Sequence, residues 1–369
     1  MKSVTVSAPG KLMLSGEWSV LEGAPCIVLA VDRRVYATAS EAKKTTINLE
    51  DFYITTDAEI KGTKISFTND GPRLGFTKHA IEAALEYLKG KKVKLRNFGL
   101  KTKSGISKAA VKGGEVKLGF GSSAAAVVAI ASAVLKFHGI GIEKANEREA
   151  LFKLGIIAHY RAQEKIGSGF DVAASAFGGA LVYTRFDAQW LQKELGKKSV
   201  CKIVEEKWPL LGHRNIKLPG GFCIAVGFTG KGASTTELVK KMKKFKEEKN
   251  AEYEKIIFQI REVTESMIEA MEKGEQKELL TLVSENAALL RELGEESGNE
   301  LEIAEHRKMA EIADKHYAAA KFSGAGGGDC SIAVCFGQKT ADAIKKGWES
   351  NGLAPIDVKV SEDGARAER

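Results

Sequence analysis

The chain opens with short runs dominated by β-branched and apolar residues: SVTVSA, PCIVLAV and RRVYATAS, punctuated by Gly and Pro. Runs of this kind between turn residues predict strands throughout the first forty positions. Residues 46–68 continue as short β segments. The period then changes. Ala80, Ile81, Ala84, Leu85 and Leu88 recur at helical spacing and predict a helix at about 77–89. Another strand, KVKLRNFGLKTKS, leads to a glycine-rich loop and an alanine-rich helix, and a further helix follows over 143–164. Composition shifts near 187–220, where DAQWLQKELGKKS and KWPLLGHRNIKLPGG are polar and rich in turn residues. A strand, FCIAVGF, restarts the pattern. Helices are predicted at 235–249, 252–272, 276–292 and 301–316, then a strand, CSIAVCF, and a last helix at 339–350. The polar tail SEDGARAER is expected to fray.

Strands first, helices later and glycine loops between them predict an α+β chain of two domains, 1–187 and 188–369, with a cleft between. A length of 369 residues agrees with two domains. No fixed-period repeat is visible. No apolar run reaches the roughly 18 residues of a spanning helix, and MKSVTVSAPGKL reads as a strand entering a loop, not as a signal segment. The five cysteines have neither CxxC spacing nor neighbouring histidines, as expected of reduced thiols in a cytoplasmic protein. Net charge is +8, from 56 basic and 48 acidic side chains, and suits a polyanionic partner. The densest basic run, KKMKKFKEEK at 240–249, is interrupted by Met242 and Phe245 and reads as a solvated helix face. With no aromatic platform or DNA-binding motif, the polyanion is expected to be a small molecule and not a nucleic acid.

Three glycine loops and one lysine carry the candidate chemistry. In GFGSSAAA, Gly119 and Gly121 let backbone approach an anion, and Ser122 and Ser123 present hydroxyls at the start of a buried helix. A helix start offers unpaired N–H groups and partial positive charge, which suits phosphate. The same loop is equally consistent with a tight turn capped by serine. The Walker pattern is absent, because Ala124 and Ala125 follow the serines. The second loop, KIGSGFDVAASAFGG at 165–179, holds Asp171, either a cap or a group near a reacting oxygen. The third, KFSGAGGGDCSIAVCF at 321–336, contains so many glycines that something should approach its backbone closely. Lys11 follows Pro-Gly, which places it on a turn as a candidate clamp for a transferring phosphoryl group.

Taken in order, APGKLMLSGEWSVLEG, GFGSSAAA and SGAGGGDC resemble the motifs of the GHMP superfamily: galactokinases, homoserine kinases, mevalonate kinases and phosphomevalonate kinases. The resemblance covers most of the chain. It implies an N-terminal domain like ribosomal protein S5, a ferredoxin-like C-terminal domain, and an active site between them. KIGSGFDVAASAFGG, GFTGKGASTTELV at 227–239 and the Lys and Asp-Cys of KFSGAGGGDC are similar to the phosphomevalonate kinase branch. That branch implies ATP with Mg2+ as phosphoryl donor and 5-phosphomevalonate as acceptor. Position by position, it implies that Lys117, Gly119, Gly121, Ser122, Ser123 and Ala124 line the triphosphate, Ser123 beside the metal. Lys11 and Asp171 would sit at the reacting phosphate. Glu17, Ser168, Gly169, Ser234 and Thr235 would face the acceptor. Gly326 and Gly327 would close over the phosphates, and Lys321 would add charge there or pack.

The chain also departs from the family pattern. Mevalonate kinases carry a magnesium-ligating glutamate about a dozen positions before the aspartate; here the neighbourhood reads AHYRAQEK, with His159 and Tyr160 near the place and Glu164 too close to Asp171. Phe120 stands where Leu is common, and Gly232 where proline is. Five basic residues, Lys101, Lys103, Lys112, Lys117 and Arg185, are candidates for the acceptor's phosphate and carboxylate. A mevalonate kinase, another kinase of the superfamily and a diphosphomevalonate decarboxylase are the competing readings within the family. Outside it stand a binding protein that has lost catalysis and a basic nucleic-acid binder.

Overall fold

The computed structural model describes residues 3–106, 109–111, 114–116, 118–163, 167–232 and 235–368. Its first strands, β1 (Ser3–Ser15) and β2 (Cys26–Glu41), pair antiparallel along nearly their whole length. PCIVLAV and RRVYATAS are therefore one strand, not two. The polar break between them is absorbed as a bulge: Pro9 faces Arg34 and Gly10 faces Val31, so Asp32 and Arg33 are the extra residues. β3 (Thr45–Leu49), β4 (Ile54–Lys61) and β5 (Lys64–Phe67) extend the sheet, α1 (Gly75–Gly90) covers it, and β6 (Phe98–Ser104) joins β2 and β3. The β3–β6 pair is parallel. A small hairpin, β7 (Ala109–Val111) with β8 (Gly114–Val116), precedes the alanine-rich helix α2 (Ser122–Phe137). That helix is buried on nearly every side by α1, α3 (Ala145–Ala162), α4 (Phe170–Phe177) and the β1–β2 hairpin, which explains its all-round apolar sequence.

β9 (Ala180–Thr184) lies beside β2. The polar stretch after 187 contains two helices with side-chain caps, α5 (Ala188–Leu195) behind Asp187 and α6 (Val200–Glu205) behind Ser199. Next comes β10 (Gly212–Ile216), which pairs with β9. The crossing to the second sheet thus falls between Ile216 and Phe222, later than the boundary at 187/188 that composition indicated. The second sheet is built from β11 (Phe222–Phe228), β12 (Ala319–Phe322), β13 (Cys330–Phe336) and β14 (Ala354–Ile356), in the order β12-β13-β11-β14. Its helices are α7 (Thr235–Glu248), α8 (Asn250–Lys273), α9 (Gln276–Glu296), α10 (Ala304–Asp314) and α11 (Gln338–Ser350). On α7, Met242 and Phe245 are buried while Lys243 and Lys244 are solvated, as the sequence predicts.

The tail does not fray. Its end, β15 (Arg366–Ala367), pairs with β1, and Arg34 donates to Ser361 Oγ and to the carbonyls of Asp363 and Gly364. The chain is a two-domain α+β fold, and no helix among the described residues is long and apolar enough to cross a membrane.

Candidate active site

Lys11 is not on a turn. It lies inside β1, directly after the register shift at Pro9/Gly10, and is buried. Glycine at position 10 is needed because a Cβ there would stand 2.7 Å from the Phe120 carbonyl, so strand and glycine loop touch backbone to backbone. The Lys11 N–H donates to Phe120 O at 2.9 Å, and Nζ donates to Gly119 O at 3.2 Å. The stem lies across Gly121, and Nζ stands 5.7 Å from the centre of the Phe170 ring. Burial lowers the Lys11 pKa below that of an ordinary lysine; the negative charges of Asp171 and Asp329 oppose the shift.

Gly119 and Gly121 both have left-handed backbone (φ 70° and 71°), and Gly121 occupies the N-cap of α2. No side chain caps the helix, which removes the serine-cap reading of the loop. The first helical bond runs from Ala125 N–H to Gly121 O at 3.1 Å, so the N–H groups of Ser122, Ser123 and Ala124 precede the ladder. The Ser123 hydroxyl turns to His159 instead, with Oγ 3.2 Å from Nε2.

KIGSGFDVAASAFGG is a loop only at its start, since Phe170–Phe177 forms α4 with Gly169 at its N-cap. Asp171 sits in the first turn, where Oδ1 accepts the Val172 N–H at 2.9 Å and Oδ2 lies 3.6 Å from His159 Nε2. The Ser168 carbonyl accepts the Tyr183 hydroxyl at 2.7 Å, and a Cβ on Gly169 would collide with that same oxygen at 2.6 Å. Burial pushes the Tyr183 phenol well up, so it remains a donor.

The second sheet reaches the site through the third glycine loop. Ser323 Oγ accepts the Met13 N–H at 2.8 Å and donates to Met13 O at 3.0 Å, satisfying β1 at its second bulge. Of the two expectations for Lys321, charge at the phosphates or packing, the contacts favour packing. It is fully buried, paired with Glu17, and donates to Phe322 O at 2.7 Å; it packs and presents no free charge to a phosphate. Glu17 is equally buried, and its Oε2 has no hydrogen-bond partner. The close approach demanded by the glycines comes from the chain itself. A Cβ on Gly326 would meet Leu301 O at 2.6 Å, and the Gly327 N–H already donates to Leu301 O at 2.7 Å. Both glycines hold the loop's own packing.

Asp329, which sequence reasoning passed over, brings its carboxylate to Gly119: a Cβ there would lie 2.8 Å from Oδ2. As the sole acid of SGAGGGDC it was the available signal. Its neighbour Cys330 donates to Leu118 O at 3.2 Å, which fastens the second sheet to the glycine loop.

Lys117 and Ser234 lie outside the described residues, as do Lys112, Glu164 and the side chain of Thr235, which opens α7. Lys101 pairs with Glu50 at 2.6 Å. Arg185 donates to Leu21 O at 3.1 Å, and its buried Nε has no partner. Among the described residues no cluster of three or more His, Cys, Asp or Glu forms a metal cage. Among the oxygen donors at the site, the Ser123 hydroxyl and the Asp171 carboxylate both lie beside His159 Nε2. That pair fits a magnesium ion, which is commonly held by one or two protein oxygens while phosphates and water complete its shell.

Two family models match the chain: GHMP kinases N terminal domain over residues 76–179, and GHMP kinases C terminal over 267–353. The phosphomevalonate kinase of Streptomyces sp. (strain CL190) is 28% identical over 98% of both chains. The mevalonate kinase of Pyrococcus horikoshii is 31% identical, covering 100% of this chain and 98% of its own. Streptococcus pneumoniae phosphomevalonate kinase, solved with phosphomevalonate and AMPPNP, superposes with a TM-score of 0.82 at 23% identity, over 98% of this chain and 100% of that one.

Proposed function

This chain belongs to the GHMP kinases, and we propose that it transfers the γ-phosphoryl group of Mg2+–ATP to the phosphate of 5-phosphomevalonate, giving 5-diphosphomevalonate and ADP. The observation that carries this reading is the lysine laid across a glycine-started helix, with Nζ 3.2 Å from Gly119 O and Asp171 and Ser123 gathered around His159. A buried cation, three unpaired N–H groups and a carboxylate form a preorganised receptacle for a transferring phosphoryl group.

An acceptor phosphate oxygen attacks the γ-phosphorus as the bond to the bridging oxygen of ADP breaks. That acceptor is already ionised at neutral pH, so no strong general base is required. The site agrees. Asp171 has one oxygen on a backbone N–H and the other facing His159, an arrangement suited to orienting charge. Lys11 and the first turn of α2 neutralise the charge that develops. Magnesium, which Ser123 and Asp171 would hold, supplies further neutralisation of the triphosphate. The branch assignment rests on KIGSGFDVAASAFGG and GFTGKGAST and on the full-length likeness to the Streptomyces enzyme.

The equally complete likeness to the Pyrococcus enzyme favours mevalonate kinase as the second reading. A coupled ADP-release assay over mevalonate, 5-phosphomevalonate and 5-diphosphomevalonate separates them. We expect kcat/KM for 5-phosphomevalonate at least about tenfold above that for mevalonate, roughly 1.4 kcal/mol of transition-state discrimination. Equal or reversed preference overturns the phosphomevalonate kinase assignment and promotes mevalonate kinase.

A further inference from the structure

His159 stands near the place where the family pattern puts a magnesium-ligating glutamate, and the glycine loops do not account for its contacts. It stands near the end of α3, buried, with its ring 5.3 Å from that of Phe76. From there Nε2 reaches the first turns of two other helices at once, 3.2 Å from Ser123 Oγ on α2 and 3.6 Å from Asp171 Oδ2 on α4. The first distance is a hydrogen bond; the second is too long for one and marks a neighbouring charge. On the ring's other edge Gly167 lies close by, where a Cβ would stand at ordinary contact distance, 3.4 Å, from Nδ1.

A serine hydroxyl has one proton and two lone pairs. If it is to offer its oxygen to a cation, the proton must rest on an acceptor elsewhere. At the second residue of α2 no helical carbonyl stands a turn behind to take that proton, and the helix is not capped by this side chain. The acceptor within reach is His159 Nε2. We infer that His159 is a positioning residue for the metal–nucleotide: its Nε2 accepts the hydrogen bond that the Ser123 hydroxyl donates, which turns the lone pairs of Oγ away from the ring toward the phosphate-bound cation and leaves Asp171 beside it as the second oxygen donor. His159 then acts through Ser123 and does not touch the nucleotide. The inference rests on the nucleotide-binding part of the proposed function and is independent of which acceptor is used.

The test is a double-mutant cycle read by calorimetric binding of the nonhydrolysable ATP analogue AMPPNP, with and without Mg2+, alongside thermal melts. His159→Phe keeps a ring against Phe76 and removes the nitrogen; His159→Gln returns a polar atom near the position of Nε2. We expect His159→Phe to weaken binding of the Mg2+ complex at least about tenfold, the usual scale for losing a partner behind a metal ligand, while metal-free AMPPNP changes by less than about twofold. His159→Gln should recover most of the loss. In a Ser123→Ala background His159→Phe should add nothing, because the hydroxyl it orients is gone. Equal weakening with and without Mg2+, additive losses in the double mutant, or a lowered melting temperature with unchanged Mg2+ selectivity overturns the inference. If His159→Phe does not fold, His159→Leu, which also lacks the ring nitrogen, takes its place in the cycle. A Mg2+-dependent loss present in the wild-type background and absent after Ser123→Ala supports the inference, and the same loss in both backgrounds, or in neither, overturns it. Failure of the wild-type protein to bind AMPPNP at all overturns the kinase reading itself, a separate outcome.

Discussion

Lys11 and Asp171 both act on one phosphoryl group in the proposed reaction, and their roles separate by mutation. Lys11→Ala removes a preorganised charge and should lower kcat at least about a hundredfold, on the order of 3 kcal/mol. Asp171→Asn keeps an oxygen for the Val172 N–H and should lose less. The double variant should be clearly less impaired than the product of the singles, since both act on one group. A multiplicative double variant, or Asp171→Asn as the more damaging change, would show the mechanism to be misassigned. Burial lowers the Lys11 pKa, so the free enzyme should lose that charge below the ordinary lysine range, and kcat/KM should fall on an alkaline limb below 10.5. Bound polyanion stabilises the charged form, so the limb in kcat should lie at higher pH. Lys11, Ser123 and Asp171 were legible in the sequence because glycines mark the backbone around each. Asp329 was not, and His159 was noticed only as standing near the family's magnesium-ligand position, because their partners, Gly119 and Ser123, lie far along the chain and no local pattern announces such a meeting.

Elements whose apolar period is long were read nearly to their ends: the helices predicted at 252–272 and 339–350 appear as α8 and α11. The misreadings occur where a backbone feature depends on a distant partner. The bulge that joins two runs into β2 exists because β1 carries Pro-Gly opposite it, and the third glycine loop is tight because Leu301 lies against it. His306 on α10 belongs to that same packing. Its Nδ1 accepts the Ile303 N–H at 3.3 Å, and Nε2 donates to Gly328 O at 3.1 Å. Burial brings its pKa down from 6.5 to about 4. Between these values the unfolded chain takes up a proton that the folded chain refuses. The stabilising contribution is therefore complete above 6.5 and is lost as pH falls toward 4. Denaturant titrations at pH 7 and 4.5 should show about 2 kcal/mol of acid destabilisation in the wild type that is missing in His306→Gln. An identical pH dependence in the variant would remove His306 from the account.

At the scale of the whole molecule, the order of strands and helices gave the two α+β layers, but sheet membership is not a local property. β10 and β15 both return to the first sheet, and nothing in GHRNI or RA says which edge each will meet. What holds the two sheets in register is a set of buried polar contacts around β1: Ser323 on Met13, Cys330 on Leu118, and the Glu17–Lys321 pair. The pair is the deepest of these. Each ion has given up its water, and burial lowers the Lys321 pKa against the pull of Glu17. A buried pair of this kind need not add net stability, yet removing one partner leaves the other charged in an apolar setting. Lys321→Met should therefore destabilise the fold by about 3 to 5 kcal/mol, whereas Glu17→Gln with Lys321→Met should regain more than half of that loss. Urea denaturation of the single and double variants measures the coupling. Additive losses would mean that the two side chains stabilise the sheets separately, by packing, and that their charges do not fasten the second sheet to the strand carrying Lys11.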